Sequence, residues 1–136
     1  MSDLVYDLHV PFKPTPQKRH RHTRTGRTYD PCCQEKQAFL KLAMLSHHPG
    51  TAPFSGPLRC HLVFTFRRPK SHCTAAGHLR KGAPTSHVYK PDVDNLAKFV
   101  LDALNGFYYV DDSQIHCITV EKKYGTEDSI SARFEA

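Results

Sequence analysis

Acidic side chains are scarce over most of this chain. Between Asp7 and Asp92 only Asp30 and Glu35 carry negative charge, against fifteen lysines and arginines. Long apolar runs are missing too. No stretch approaches the ~20 residues that a membrane-spanning helix needs, so no membrane partner is expected. The five cysteines (Cys32, Cys33, Cys60, Cys73 and Cys117) include no CxxC pair. Cys32 and Cys33 are adjacent and poorly placed to bridge each other, so reduced thiols are expected. His72, Cys73, His78 and His87 lack the close-paired spacing of a structural zinc site. There is no glycine-rich phosphate loop, no nucleophile motif and no internal repeat, and no small-molecule cofactor is expected. The start, MSDLVYDLHV, is short and carries acids, unlike a signal peptide. The expected location is cytoplasmic and nucleoid-associated.

What remains points to a basic protein with one core. A chain of 136 residues, 39% hydrophobic, suits a single domain spanning 1–136. A net charge of +6 suggests a polyanionic partner. The positive charge is clustered. Lys18, Arg19, Arg21, Arg24 and Arg27 fall in a basic arm over 11–30. Arg67, Arg68, Lys70, Arg80, Lys81 and Lys90 fall in a second stretch over 67–90. A merely solvated basic surface is the plain alternative, but the clustering favours nucleic acid.

In chain order, residues 4–10 alternate and read as a strand ending at Pro11. The arm has no helical or strand period, with Gly26 at a turn. Asp30-Pro31 opens a helix running to His48, with Phe39, Leu40, Ala43 and Met44 inward and Lys36 and Lys41 in solvent. Residues 58–66 alternate as a strand. Residues 67–89 lack period, and a loop that long is often functional; a mobile basic loop over the active face is expected. Leu96, Phe99, Val100, Ala103 and Leu104 share one arc of a helix over 93–105, with Asp94, Lys98 and Asp102 opposite. Asn105-Gly106 stops it. Strands are expected at 107–110, 115–124 and 129–135. This order gives an α+β domain, a small mixed sheet packed with two main helices.

The acids that do occur concentrate in KPDVDNLAKFVLDALNGFYYVDDSQ, residues 90–114. Asp92 and Asp94 enter the helix, where its dipole favours the ionised form. Asp111 and Asp112 follow it. Helix capping explains either pair alone. Together, if the chain returns tightly, they form a carboxylate cluster. Such a cluster repels itself unless a cation sits within it. Mg²⁺, with Mn²⁺ as a substitute, takes oxygen ligands and completes its shell with water and phosphate. Lys98 could then offset phosphate charge, or simply pair with Asp94 or Asp102 on the helix surface.

The set D-x-D-N-x-x-K with a distal DD-x-Q, within KPDVDNLAKFVLDALNG and DDSQI, resembles the signature of RusA-type Holliday junction resolvases, found in phages and prophages. TGRTYDP and FRRPKSH match more weakly. The resemblance implies a homodimeric Mg²⁺-dependent endonuclease that nicks opposed strands of four-way DNA junctions. It implies metal ligands at Asp92, Asp94 and Asp112, with Asp111 beside them, and a functional lysine at Lys98. The rival reading is a basic nucleic-acid-binding module without chemistry, whose acids only cap helix and strand ends.

Overall fold

The computed structural model describes residues 3–136; Met1 and Ser2, part of the acidic start read above, lie outside it. A four-stranded mixed sheet is built from β1 (Leu4–Val10), β4 (Leu58–Arg67), β5 (Ile115–Gly125) and β6 (Ser129–Glu135), in the order β1-β6-β4-β5. A second, two-stranded ribbon pairs β2 (Arg21–His22) with β3 (Thr28–Tyr29). Two helices complete the α+β domain: α1 (Cys33–Ser46) and α2 (Val93–Leu104).

The alternation in the strands decides which sheet face is dry. Tyr6, Leu8 and Val10 of β1, Leu58, Cys60, Leu62 and Phe64 of β4, and Ile130, Ala132 and Phe134 of β6 are all buried. The neighbouring residues Asp7, His9, Arg59, His61 and Arg133 are exposed. Both helices cover the apolar face through Phe39 and Ala43 of α1 and Leu96, Phe99, Val100, Ala103 and Leu104 of α2. Phe12, Phe39 and Phe99 meet at centroid distances of 5.5 to 6.1 Å.

β6 runs antiparallel to both β1 and β4, whereas β5 runs parallel to β4. A parallel pair needs a crossover, and α2 lies in it. The helix that carries Asp92, Asp94 and Lys98 is therefore fixed to the sheet along its whole buried stripe.

Four expectations need correction. The arm, expected as a loop, pairs Arg21–His22 with Thr28–Tyr29 about the turn at Gly26. Residues 107–110 form no strand: Phe107 and Tyr108 donate to the Leu104 carbonyl, and Tyr109 makes only isolated bridges. Tyr108 and Tyr109 are both fully buried, which a two-residue alternation cannot do. Helix α1 starts at Cys33 rather than at Pro31, with no side-chain cap among the described residues. Lys36, expected in solvent, is buried, its ammonium held between partly buried Asp30 and half-exposed Asp102.

The long segment 67–90 closes on itself by main-chain bonds. A single turn covers Lys70–His72, Cys73 bridges Leu79, and the Arg80 N–H donates to His72. Its last residues run along the free edge of β5, where Ser86 bridges Lys123.

Candidate active site

Asp92 occupies the cap position of α2 in an extended conformation, yet among the described residues its carboxylate accepts no capping hydrogen bond. Asp94 lies in the first turn; both acids are exposed. Capping therefore does not account for Asp92. The helix dipole favours negative charge there, and the oxygens remain free for an outside partner.

The approach to Asp92 is held from β5. Lys122 Nζ donates to the carbonyls of Tyr89 at 2.6 Å and Pro91 at 2.8 Å. Lys122 shares the helix-facing side of the sheet with Val120 and Tyr124, so its ammonium reaches under the entry to α2. Two main-chain bonds fasten the same segment, Tyr124 N–H to Thr85 and His87 N–H to Lys122. The His87 ring stacks on Phe66 at 3.9 Å. Burial lowers its pKa, and the charge of Lys122 lowers it further.

Lys98 is exposed one turn beyond Asp94. Among the described residues it forms no ion pair with Asp94 or Asp102. Asp102 turns instead to Lys36, at 2.5 Å. Lys36 also reaches Asp30 at 2.6 Å. Burial would lower the Lys36 pKa, but the hydrogen bonds it donates to Asp102 and Asp30 raise it overall. Burial also works against Asp30, whose bonds from Lys36, the Cys32 N–H and Gln17 bring its carboxyl down to about 2.

The second acid pair divides into two roles. Asp111 caps the turn Asp112–Gln114: its carboxylate accepts from the Ser113 hydroxyl at 2.5 Å, and its own N–H donates to Gln114 Oε1 at 2.8 Å. The Ser113 hydroxyl is the main cause of its lowered pKa. Gln114 ties this turn to Phe54 and Gly56 through their carbonyls. Asp112 is exposed beside it and takes no part in the cap.

The expected return of this pair to the first does not occur within the chain. Asp92 and Asp94 sit at the start of α2. Asp111 and Asp112 follow Tyr109, whose hydroxyl donates to the Leu101 carbonyl in the last turn. Burial raises the Tyr109 pKa most, and Cys60, Asp112, Asp102 and Asp111 add to it. Twelve helical residues separate the pairs by roughly 18 Å. Among the described residues, no three His, Cys, Asp or Glu side chains group closely enough to hold a metal. A Mg²⁺ ion often takes only one or two protein carboxylates with phosphate and water. The uncapped oxygens of Asp92 with those of Asp94 fit that chemistry.

The basic arm stands beside this first pair. Gln17 N–H donates to the Asn95 carbonyl at 2.9 Å, joining the base of the arm to the first turn of α2. Pro16, Gln17, Lys90, Pro91, Asp92 and Asn95 line a cleft of about 470 Å³. Gln17 Oε1 is buried without a hydrogen-bond partner among the described residues. Lys18, Arg19, Arg21, Arg24 and Arg27 continue outward along the exposed β2–β3 ribbon, which Gly26 turns at φ +83. Arg67, Arg68, Lys70 and Arg80 gather around a separate hollow at the C-terminal ends of β4 and β5, with Lys81 exposed next to them in sequence.

Gln17, Lys36 and Lys122 escaped the sequence reading. Only parity marks Lys122, as a polar residue on the inward side of its strand. Nothing local marks the other two.

Known sequences are similar to this one. A family model described as endodeoxyribonuclease RusA matches residues 11–133. The "Uncharacterized protein YqaN" of Bacillus subtilis (strain 168) is 32% identical over 127 residues, covering 87% of each chain. The match takes in the arm, both helices, the two acid pairs, β4, β5 and most of β6, and on it this chain belongs to the RusA endodeoxyribonuclease family.

Proposed function

We propose that this protein is a Mg²⁺-dependent, structure-selective endonuclease that resolves four-way DNA junctions by paired nicks, acting as a homodimer. The observation that carries the proposal is the Asp92 carboxylate, uncapped at the head of α2 and lining a cleft with the base of a basic arm.

Asp92 and Asp94 would hold the ion, and Mn²⁺ would serve in its place. When bound, such an ion polarises a phosphoryl oxygen and lowers the pKa of a coordinated water. The chain's own groups do the rest. Lys122 and the packed segment before Pro91 fix where Asp92 points. Lys98, free of ion pairs among the described residues, offsets charge on the phosphate. Arm and hollow hold the DNA backbone through positive charge, which positions a substrate without reading its sequence.

The separation of the two acid pairs gives the dimer a purpose. In a two-fold pair with antiparallel α2 helices, Asp112 of one copy faces Asp92 and Asp94 of the other. Two equivalent sites then meet two opposed strands. A binding module without chemistry would spend its acids as caps; Asp111 is spent so, and Asp92 is not.

The test is incubation with four-way, forked and linear duplex DNA, with and without Mg²⁺. Mg²⁺-dependent nicking of the four-way substrate that Asp92→Asn abolishes, with junction binding retained, supports the reading. Wild-type cleavage by D92N would sink it.

A further inference from the structure

The hollow at the ends of β4 and β5 has the chemistry of a nucleotide site rather than of a flat phosphate-binding surface. It measures about 630 Å³ and is lined by Arg67, Arg68, Lys70 and Arg80, with no acid among its lining residues. That volume lies within the ~300–1,000 Å³ of small-ligand pockets. The rest of the wall is uncharged and includes Cys73 and Gly125.

One cation differs from the other three. Arg68 is half-buried and fixed: its Nη1 donates to the Pro84 carbonyl at 2.6 Å, and its guanidinium lies 5.6 Å from the centre of the Tyr124 ring. A guanidinium held as a rigid plane in a pocket wall is a surface on which a nucleobase stacks. Arg67, Lys70 and Arg80 are exposed and suit a phosphate. The hollow and the entry to α2 share one end of the sheet. Gly125 lines the hollow, and Lys122, three residues earlier on β5, bonds to Pro91 before Asp92.

We infer that this hollow receives one unpaired nucleotide of a branched DNA substrate, its phosphate on Arg67, Lys70 and Arg80 and its base against Arg68. The inference rests on the nuclease reading for the source of the nucleotide, but its test does not require cleavage. Opening a branch point frees bases from the stack, and a pocket that accepts one offsets part of the cost of unpairing it.

Cys73 lines the hollow, whereas Cys33 is exposed on α1 and Cys117 is exposed on β5 away from the hollow. The experiment alkylates the full chain with a small maleimide and reads each cysteine by peptide mass spectrometry. It compares a short oligothymidylate, the same strand with abasic sugars, and no DNA. The expected result is slower alkylation of Cys73 with the thymidylate only, with Cys33 and Cys117 unchanged. Arg68→Lys, which keeps the charge and loses the plane, should weaken oligothymidylate binding about tenfold while leaving abasic binding unchanged. Equal protection by the abasic strand, or no protection of Cys73, overturns the pocket. Protection in a protein that cuts no junction leaves the pocket standing and removes the nuclease reading. Cleavage without base-dependent protection does the reverse.

Discussion

Lys122 Nζ lies 2.8 Å from the carbonyl oxygen of Pro91, the residue immediately before Asp92. A second bond to Tyr89 holds the same ammonium. One edge-strand lysine thus sets where helix α2 begins and where its first carboxylate stands. It acts through the main chain, so it is a positioning residue.

Replacing Lys122 with Met keeps the stem and removes both bonds. The expected result is a Mg²⁺ requirement raised by about 10–100-fold, the usual effect of losing support behind a ligand. Junction affinity without metal should hold. An unchanged Mg²⁺ titration of cleavage would refute the positioning role.

The Asp30–Lys36–Asp102 group ties the base of the arm to both helices. Lys36→Met leaves a partly buried Asp30 uncompensated. It should cost about 2–3 kcal/mol in urea denaturation; half-exposed Asp102 keeps this below the full cost of breaking a buried pair. The sign of the pH effect follows from Asp30. Its folded pKa is depressed to about 2, so its contribution is present above pH ~4 and is lost as pH falls toward about 2. Acid denaturation of K36M should show less of this loss than wild type.

His87 works in the same direction at higher pH. Its pKa is lowered, so the neutral ring favours the folded state. The stability it adds is complete above pH ~6.5 and is lost as pH falls toward its folded value. Protection factors for amide hydrogen exchange across 83–91 should fall as pH drops below ~6.5. His87→Phe, which keeps the stack on Phe66, should flatten that dependence.

The two acids after Tyr109 should separate by experiment. Asp111→Ala removes a cap and should lower the denaturation midpoint. Asp112→Ala removes no hydrogen bond among the described residues and should leave that midpoint unchanged while abolishing junction cleavage. Mixing Asp112→Ala with Asp92→Asn protein would restore one intact site per heterodimer if the pairs meet across a dimer. A mixture with no nicking activity would refute that arrangement.

The arm makes an ionic-strength prediction. Arg21 and Arg24 are exposed on the ribbon. Changing both to Gln should lower the slope of log affinity against log salt by about 1.8, or about 0.9 for each phosphate no longer neutralised. Linear and four-way DNA should be affected alike, because backbone contacts carry no sequence information.

Much of this was legible in the chain itself. Alternation over 4–10, 58–66 and 129–135, and the apolar arc of α2, mark the elements because burial on one side imposes a period of two or 3.6 residues. The resemblance around Lys90 to Ile115 singled out Asp92, Asp94, Lys98 and Asp112 as candidates. Tyr108 and Tyr109 were misread as strand because a run of apolar residues carries no period when a turn buries neighbours on both sides.

Sequence alone determined the four strands of the main sheet, helix α2, the basic arm and the positions of the acids, since each depends on side chains a few positions apart. Tertiary structure decided which acid is free and which is a cap, that Lys36 lies inside, and that Lys122 holds Pro91. The last two depend on partners 66 and 31 residues away, Asp102 for Lys36 and Pro91 for Lys122. Local periodicity has no term for a contact that forms only when distant segments share one face of the sheet.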